Sequence, residues 1–205
     1  MSYFLRSALA AVVVFTPALL ASPGASRAAT SDDPDWPCIQ RLVPRISPTQ
    51  VWAGPEPAPW QGDLDVDRLA AKLAARRTPI EEAGKMVEAF VEAQPSNSVN
   101  DKLTALFGRT LEIINRDRAS LVAGIKRFAV RQRALAERIR AARTTLQDAP
   151  AATTAQDDDL REQLHWDLRI FDEREKSMTY LCEQPVLLEQ RAFALGRTIY
   201  QFVED

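Results

Sequence analysis

The chain carries one histidine, two cysteines and seven glycines in 205 residues, and each scarcity removes a chemistry. Zinc, copper and haem sites need several nitrogen or sulfur ligands, and haem attachment needs C-x-x-C-H. His165 stands alone on a helical stretch, and Met86 and Met178 fall at core spacing rather than as copper ligands. Hydrolases built on a serine or cysteine nucleophile need a base beside it, and there is no second imidazole and no G-x-S-x-G. The absence of C-x-x-C argues against thioredoxin-type redox chemistry. The glycines are scattered, so no phosphate-cradling loop forms. No cofactor and no metal are expected.

One-signed charge is missing too. The formal net charge is −2, and removing Arg6 and Arg27 with an N-terminal leader makes it −4. No basic field therefore points to nucleic acid or to an anionic membrane surface. The one long apolar run, 8–20, is interrupted by Thr16 and Pro17 and followed by Pro23-Gly24 and Ser26-Arg27-Ala28. That is the anatomy of a secretory signal peptide, too short and broken for a spanning helix. Residues 1–28 are read as this leader, cleaved after Ala28 or one residue later. The product is expected in the periplasm or secreted, with no integral membrane span in the mature chain. In an oxidising compartment Cys38 and Cys182 read as a disulfide, within one chain or between two, against the alternative of two buried thiols.

What the chain does have is proline at one end and helical periodicity everywhere else. Residues 29–62 hold seven of the thirteen prolines. Proline fixes φ and lacks the amide donor, so this segment is expected to be an extended arm. Trp36, Trp52 and Trp60, with Ile39, Leu42, Val43, Ile46 and Val51, make it too apolar for a disordered linker. Such an arm has to bury its aromatic residues in a groove between helices.

Residues 63–205 read as the helical domain. A short amphipathic helix is expected over 65–77. Thr78-Pro79-Ile80-Glu81 then reads as an N-cap, a proline at the first helical position and a capping box, with Pro95 ending that helix. Two long helices follow, about 99–147 and 157–204. In the first, Phe107, Leu111, Ile114, Leu121, Ile125, Phe128, Leu135 and Ile139 step by threes and fours or whole multiples of a turn. In the second, Leu160, Leu164, Leu168, Phe171, Met178, Leu181, Leu188, Leu195 and Ile199 do the same. This is coiled-coil-like spacing. Segment 126–143 has seven basic residues against Glu137, and 157–175 has eight acidic against three basic. Opposite charge favours laying the two side by side in an antiparallel hairpin. Pro185 is expected to kink or divide the second helix. The arm is expected to return to that kink through Cys38–Cys182, with Trp36 and Trp52 filling the space.

Asp63, Asp65 and Asp67 alternate like the start of a calcium loop, but Arg68 and Ala74 occupy the positions that need glycine and glutamate. They and Asp157-Asp158-Asp159 are read as helix-start residues. Arg118 and Gln132 interrupt the apolar seam and, with Trp36, Trp52 and Trp60, are the candidate ligand or partner contacts. No residue is assigned as catalytic. The expected fold is all-α: a long antiparallel helical hairpin with two shorter helices and a proline-rich N-terminal arm. The expected function is non-enzymatic binding, scaffolding or chaperone-like work in the cell envelope, through a protein partner or self-association. Two alternatives stand beside it. One is a small-molecule-binding bundle or a cofactor-free helical enzyme acting through Arg and Gln, with chorismate-mutase-like chemistry. The other is a structural subunit of an envelope complex.

Overall fold

The computed structural model describes residues 33–149 and 154–204, so the leader reading of 1–28 lies outside the described residues. All regular structure described is helical: α1 (Pro48–Val51), α2 (Leu64–Ala74), α3 (Ile80–Glu92), a 3-10 turn (Ser96–Ser98), α4 (Val99–Asp148) and α5 (Ala155–Tyr200). The two long helices run about 75 and 70 Å at 1.5 Å per residue. Cross-links between them pair rising numbers on α4 with falling numbers on or just past α5: Asn100 with Glu204, Arg118 with Glu189, Gln132 with Phe171, and Arg138 with Asp167. No helix among the described residues is long and apolar enough to cross a membrane.

The core lies at one end. Val66, Leu73, Val87, Leu103, Leu106, Phe107, Leu195 and Ile199 are almost wholly buried where α2 and α3 pack on α4 and α5. Asp63 starts α2 as expected, its carboxylate accepting from the amides of Asp65 and Val66 at 3.1 and 3.0 Å. The Val66 amide first, then Lys102 at 3.1 Å and the Asp65 amide, hold its pKa below the ordinary range against the effect of burial.

Several expectations fail in detail. The arm is not extended throughout. Ser47-Pro48 opens the one-turn helix α1, closed by the Ser47 amide donating to Gln50 Oε1 at 2.9 Å. Helix α2 stops at Ala74, short of residue 77, and Thr78 caps nothing ahead of it. Pro79 is the N-cap of α3. The Thr78 hydroxyl instead turns back to the Lys72 carbonyl at 2.9 Å, and Arg191 takes the carbonyls of Leu73 and Thr78 at 2.5 and 2.9 Å. Tertiary donors from α5 thus satisfy the α2 C-terminus, and the local capping box gives way.

At the start of α5 the cap is Thr154, whose hydroxyl accepts from the Asp157 amide while the Asp157 carboxylate answers at 2.8 Å. The helix therefore begins at Ala155 rather than 157, and it ends at Tyr200 rather than 204. Pro185 does not divide α5. Charge pairing between the long helices is also sparser than expected. Arg138–Asp167 at 2.6 Å is the cross-helix ion pair of the basic segment, while Lys126 and Arg133 pair with Asp33 and Asp35 of the arm.

Candidate functional site

Beyond the Lys126 and Arg133 ion pairs, three polar side chains, Gln40, Asn115 and Arg118, tie the arm to the long helices. The Asn115 carboxamide grips Ile46 twice, accepting from its amide at 2.8 Å and donating to its carbonyl at 3.0 Å. One turn further along α4, Arg118 is 2% exposed. Its guanidinium donates to the Val43 carbonyl and to Glu189 Oε1 on α5, the latter at 2.6 Å. Its Nε is buried without a partner. Gln40 donates to the Cys182 carbonyl at 3.2 Å, beside the point where Cys38 and Cys182 stand at disulfide distance, 2.02 Å between sulfurs and 5.6 Å between Cα atoms.

The three arm tryptophans separate. Trp36 turns onto its own segment, donating to the Gln40 carbonyl at 2.7 Å. Trp52 does not fill the space at Pro185. It stacks on Phe107 at 4.3 Å and meets Tyr200 edge-on at 5.8 Å, near the far end of α5. Two glycines make room for this course: a Cβ on Gly196 would lie 2.2 Å from the Val51 carbonyl oxygen, and one on Gly108 would lie 2.8 Å from Pro57. Trp60 lies under the Arg109 guanidinium at 4.0 Å, which Asp67 and Glu112 hold from the side at 2.7 and 3.0 Å. Burial opposes the charge on Arg109, and the hydrogen bond that its guanidinium donates to Asp67 is the largest influence keeping its pKa high.

Gln132 stands apart from this group, donating to the Phe171 carbonyl at 3.0 Å with its Oε1 buried and unpartnered. So the tryptophans, Arg118 and Gln132 do not converge on one pocket. Arg118 is neither an exposed flank of the seam nor a free donor facing a cavity, because two of its nitrogens are occupied within the chain. No group of three or more His, Cys, Asp or Glu side chains that could hold a metal ion occurs among the described residues. His165 is exposed beside Trp166.

Sequence reasoning passed over Asn115, Arg191 and the Asp33–Asp35 clasp. Asn115 carried a readable signal, since it lies four residues after Leu111 and three before Arg118, on the apolar face. The arm aspartates carried none, because their partners on α4 are almost a hundred residues away.

Toward their far ends the two long helices pack on each other alone. Between Ala155 and Leu181, Asp167 is the one buried residue, and it is polar. Arg138 holds both its oxygens, at 2.7 and 2.6 Å. That pairing lowers the Asp167 pKa, with burial opposing it. Leu160, Leu164, Leu168, Phe171 and Met178 stay half-buried, and Trp166, Ile170 and Tyr180 are exposed. No protein-family model, characterised protein or solved structure matches this chain at a significant level.

Proposed function

We propose that this chain is an exported, non-enzymatic binding protein of the cell envelope that grips a helical segment of a partner protein with the free end of an antiparallel hairpin. The exposed apolar stripe on the face of α5 turned away from α4 carries the reading. An exposed apolar stripe on one helix is covered when an amphipathic helix of a partner is laid along it. Trp166 is 52% exposed, and with Ile170, Tyr180 and Leu187 it falls on one stripe of α5. At its distal end that stripe borders a shallow groove of about 450 Å³, edged by Arg169, Glu173 and Arg174. Exposed apolar residues rimmed by charge of both signs fit an amphipathic helix. The disulfide and the arm serve this role by stiffening the base from which the hairpin projects. The described residues offer no convergent nucleophile and base, and the occupied guanidinium of Arg118 argues against a chemistry centred there.

A photo-crosslinking residue placed at Trp166 or Ile170 in the exported protein, with the exposed Arg68 position as control, tests the reading. One discrete protein adduct from 166 and 170, and none from 68, supports it. An adduct of twice the chain's mass identifies the partner as a second copy. Silence at both projection positions overturns it.

A further inference from the structure

A cleft of about 430 Å³ opens between the end of α2, the middle of α4 and the Pro185 turn of α5, in a part of the molecule that the projection does not use. Leu121, Ile125, Leu181 and Leu188 give it an apolar lining, and Arg76, Asp117 and Ser120 are its polar members. That size and balance are typical of small-ligand sites.

Gly124 belongs to the cleft and has no packing reason to be glycine. A Cβ there would meet only the Arg127 guanidinium, at 3.9 Å. The other helical glycines each face something: Thr198 for Gly84, Pro57 for Gly108, and the Val51 carbonyl for Gly196. A glycine inside a helix costs roughly 1 kcal/mol against alanine, and here the space it leaves is the cleft itself.

Arg76 sits on the α2 wall with an uncompensated charge. Its one side-chain partner among the described residues is the neutral Gln184 amide oxygen, at 2.5 Å. A guanidinium has five N–H donors, so most of this fork is unused. Asp117 on the α4 wall is already beside Arg116, at 3.4 Å. Pro185, lacking an amide hydrogen, leaves the Leu181 carbonyl without its helical donor on the third wall.

We infer that this cleft binds a small amphipathic anion, a compact apolar body ending in one carboxylate or sulfonate, with Arg76 holding the acid group and the Gly124 gap admitting the body. Octanoate and octane-1-sulfonate are the probes, titrated below their micelle concentrations by calorimetry, with octan-1-ol as the neutral comparison. Saturable one-to-one binding of both anions is expected, weakened at least tenfold by Arg76→Gln and abolished by Gly124→Leu. Gly124→Ala keeps the fold and most of the affinity. Trp166→Ala leaves the affinity unchanged, which separates this site from the proposed partner surface. Absence of saturable binding overturns the inference. So does undiminished binding by Arg76→Gln, an exposed substitution that leaves the core intact, and so does octan-1-ol binding as tightly as octanoate.

Discussion

The two ends of this molecule are built from the same pair of helices and are held together differently. At the base, α4 and α5 meet α2, α3 and the arm, and residues such as Leu103, Leu106, Leu195 and Ile199 lose essentially all contact with water. At the far end the helices have only each other, and Leu160, Leu164 and Leu168 of α5 remain half in solvent although Leu135 and Ile139 of α4 are buried. A repeat of apolar residues along a helix specifies which side is inward. How completely that side is covered depends on the number of elements that reach it. The base is a core in the ordinary sense, and the projection is a narrow two-helix seam, covered more fully on its α4 side than on its α5 side.

Removing the staple should give the largest effect. Cys38→Ser or Cys182→Ser opens a loop spanning 144 residues and is expected to lower stability by ~4–5 kcal/mol in the chain-entropy account. Urea unfolding, compared with the parent under reductant, checks it. An equal loss in hydrogen-exchange protection at both ends would contradict the idea that the arm stabilises the base alone.

Next in size is the arm's polar clamp. Asn115→Ala strands the amide and carbonyl of Ile46, and Arg118→Met strands Glu189 and the Val43 carbonyl. Each is expected to cost about 2–3 kcal/mol and to raise proteolysis of the arm first. Thermal melts with limited digestion would show whether the arm or the pair of long helices loosens.

The projection should respond more weakly and through acid. Arg138 hydrogen-bonds the ionised Asp167 and depresses its pKa from the ordinary 3.8. The stabilisation is therefore complete above the unfolded value and is lost as pH falls through the lower folded value. Asp167→Asn should cause a smaller loss than either clamp variant at pH 7 and should flatten the acid limb below pH 4. An unchanged acid limb, read from helical circular dichroism, would remove the pair from the account.

The smallest change in stability is expected from Trp166→Ala, within about 0.5 kcal/mol for an exposed position. The same variant should lose the crosslinked partner. A full partner yield with alanine there would leave the projection without a recognised face.

Much of the architecture was readable because its signals are local. The threes and fours of Phe107 to Ile139 and Leu160 to Ile199 announce two long helices, Asp63 announces a helix start, and two cysteines far apart in sequence announce a pair at disulfide distance. The readings that failed share one cause. Thr78-Pro79-Ile80-Glu81 is a sound local capping signal, but Arg191 arrives from α5 to satisfy the same carbonyls. Trp52 was assigned to the Pro185 bend, but Phe107 offered a flat face and Tyr200 an edge elsewhere.

The sequence by itself determined that the chain is helical, which side of each long helix is apolar, and that the N-terminal segment cannot join them as a helix. These follow from periodicity and from the missing amide of proline, which act within a few residues. Only the tertiary structure decided the course of the arm, the burial of Arg118, the cleft at Gly124 and the uneven cover of the two long helices. Each of those depends on which surfaces, far apart in the chain, compete to remove the same groups from water.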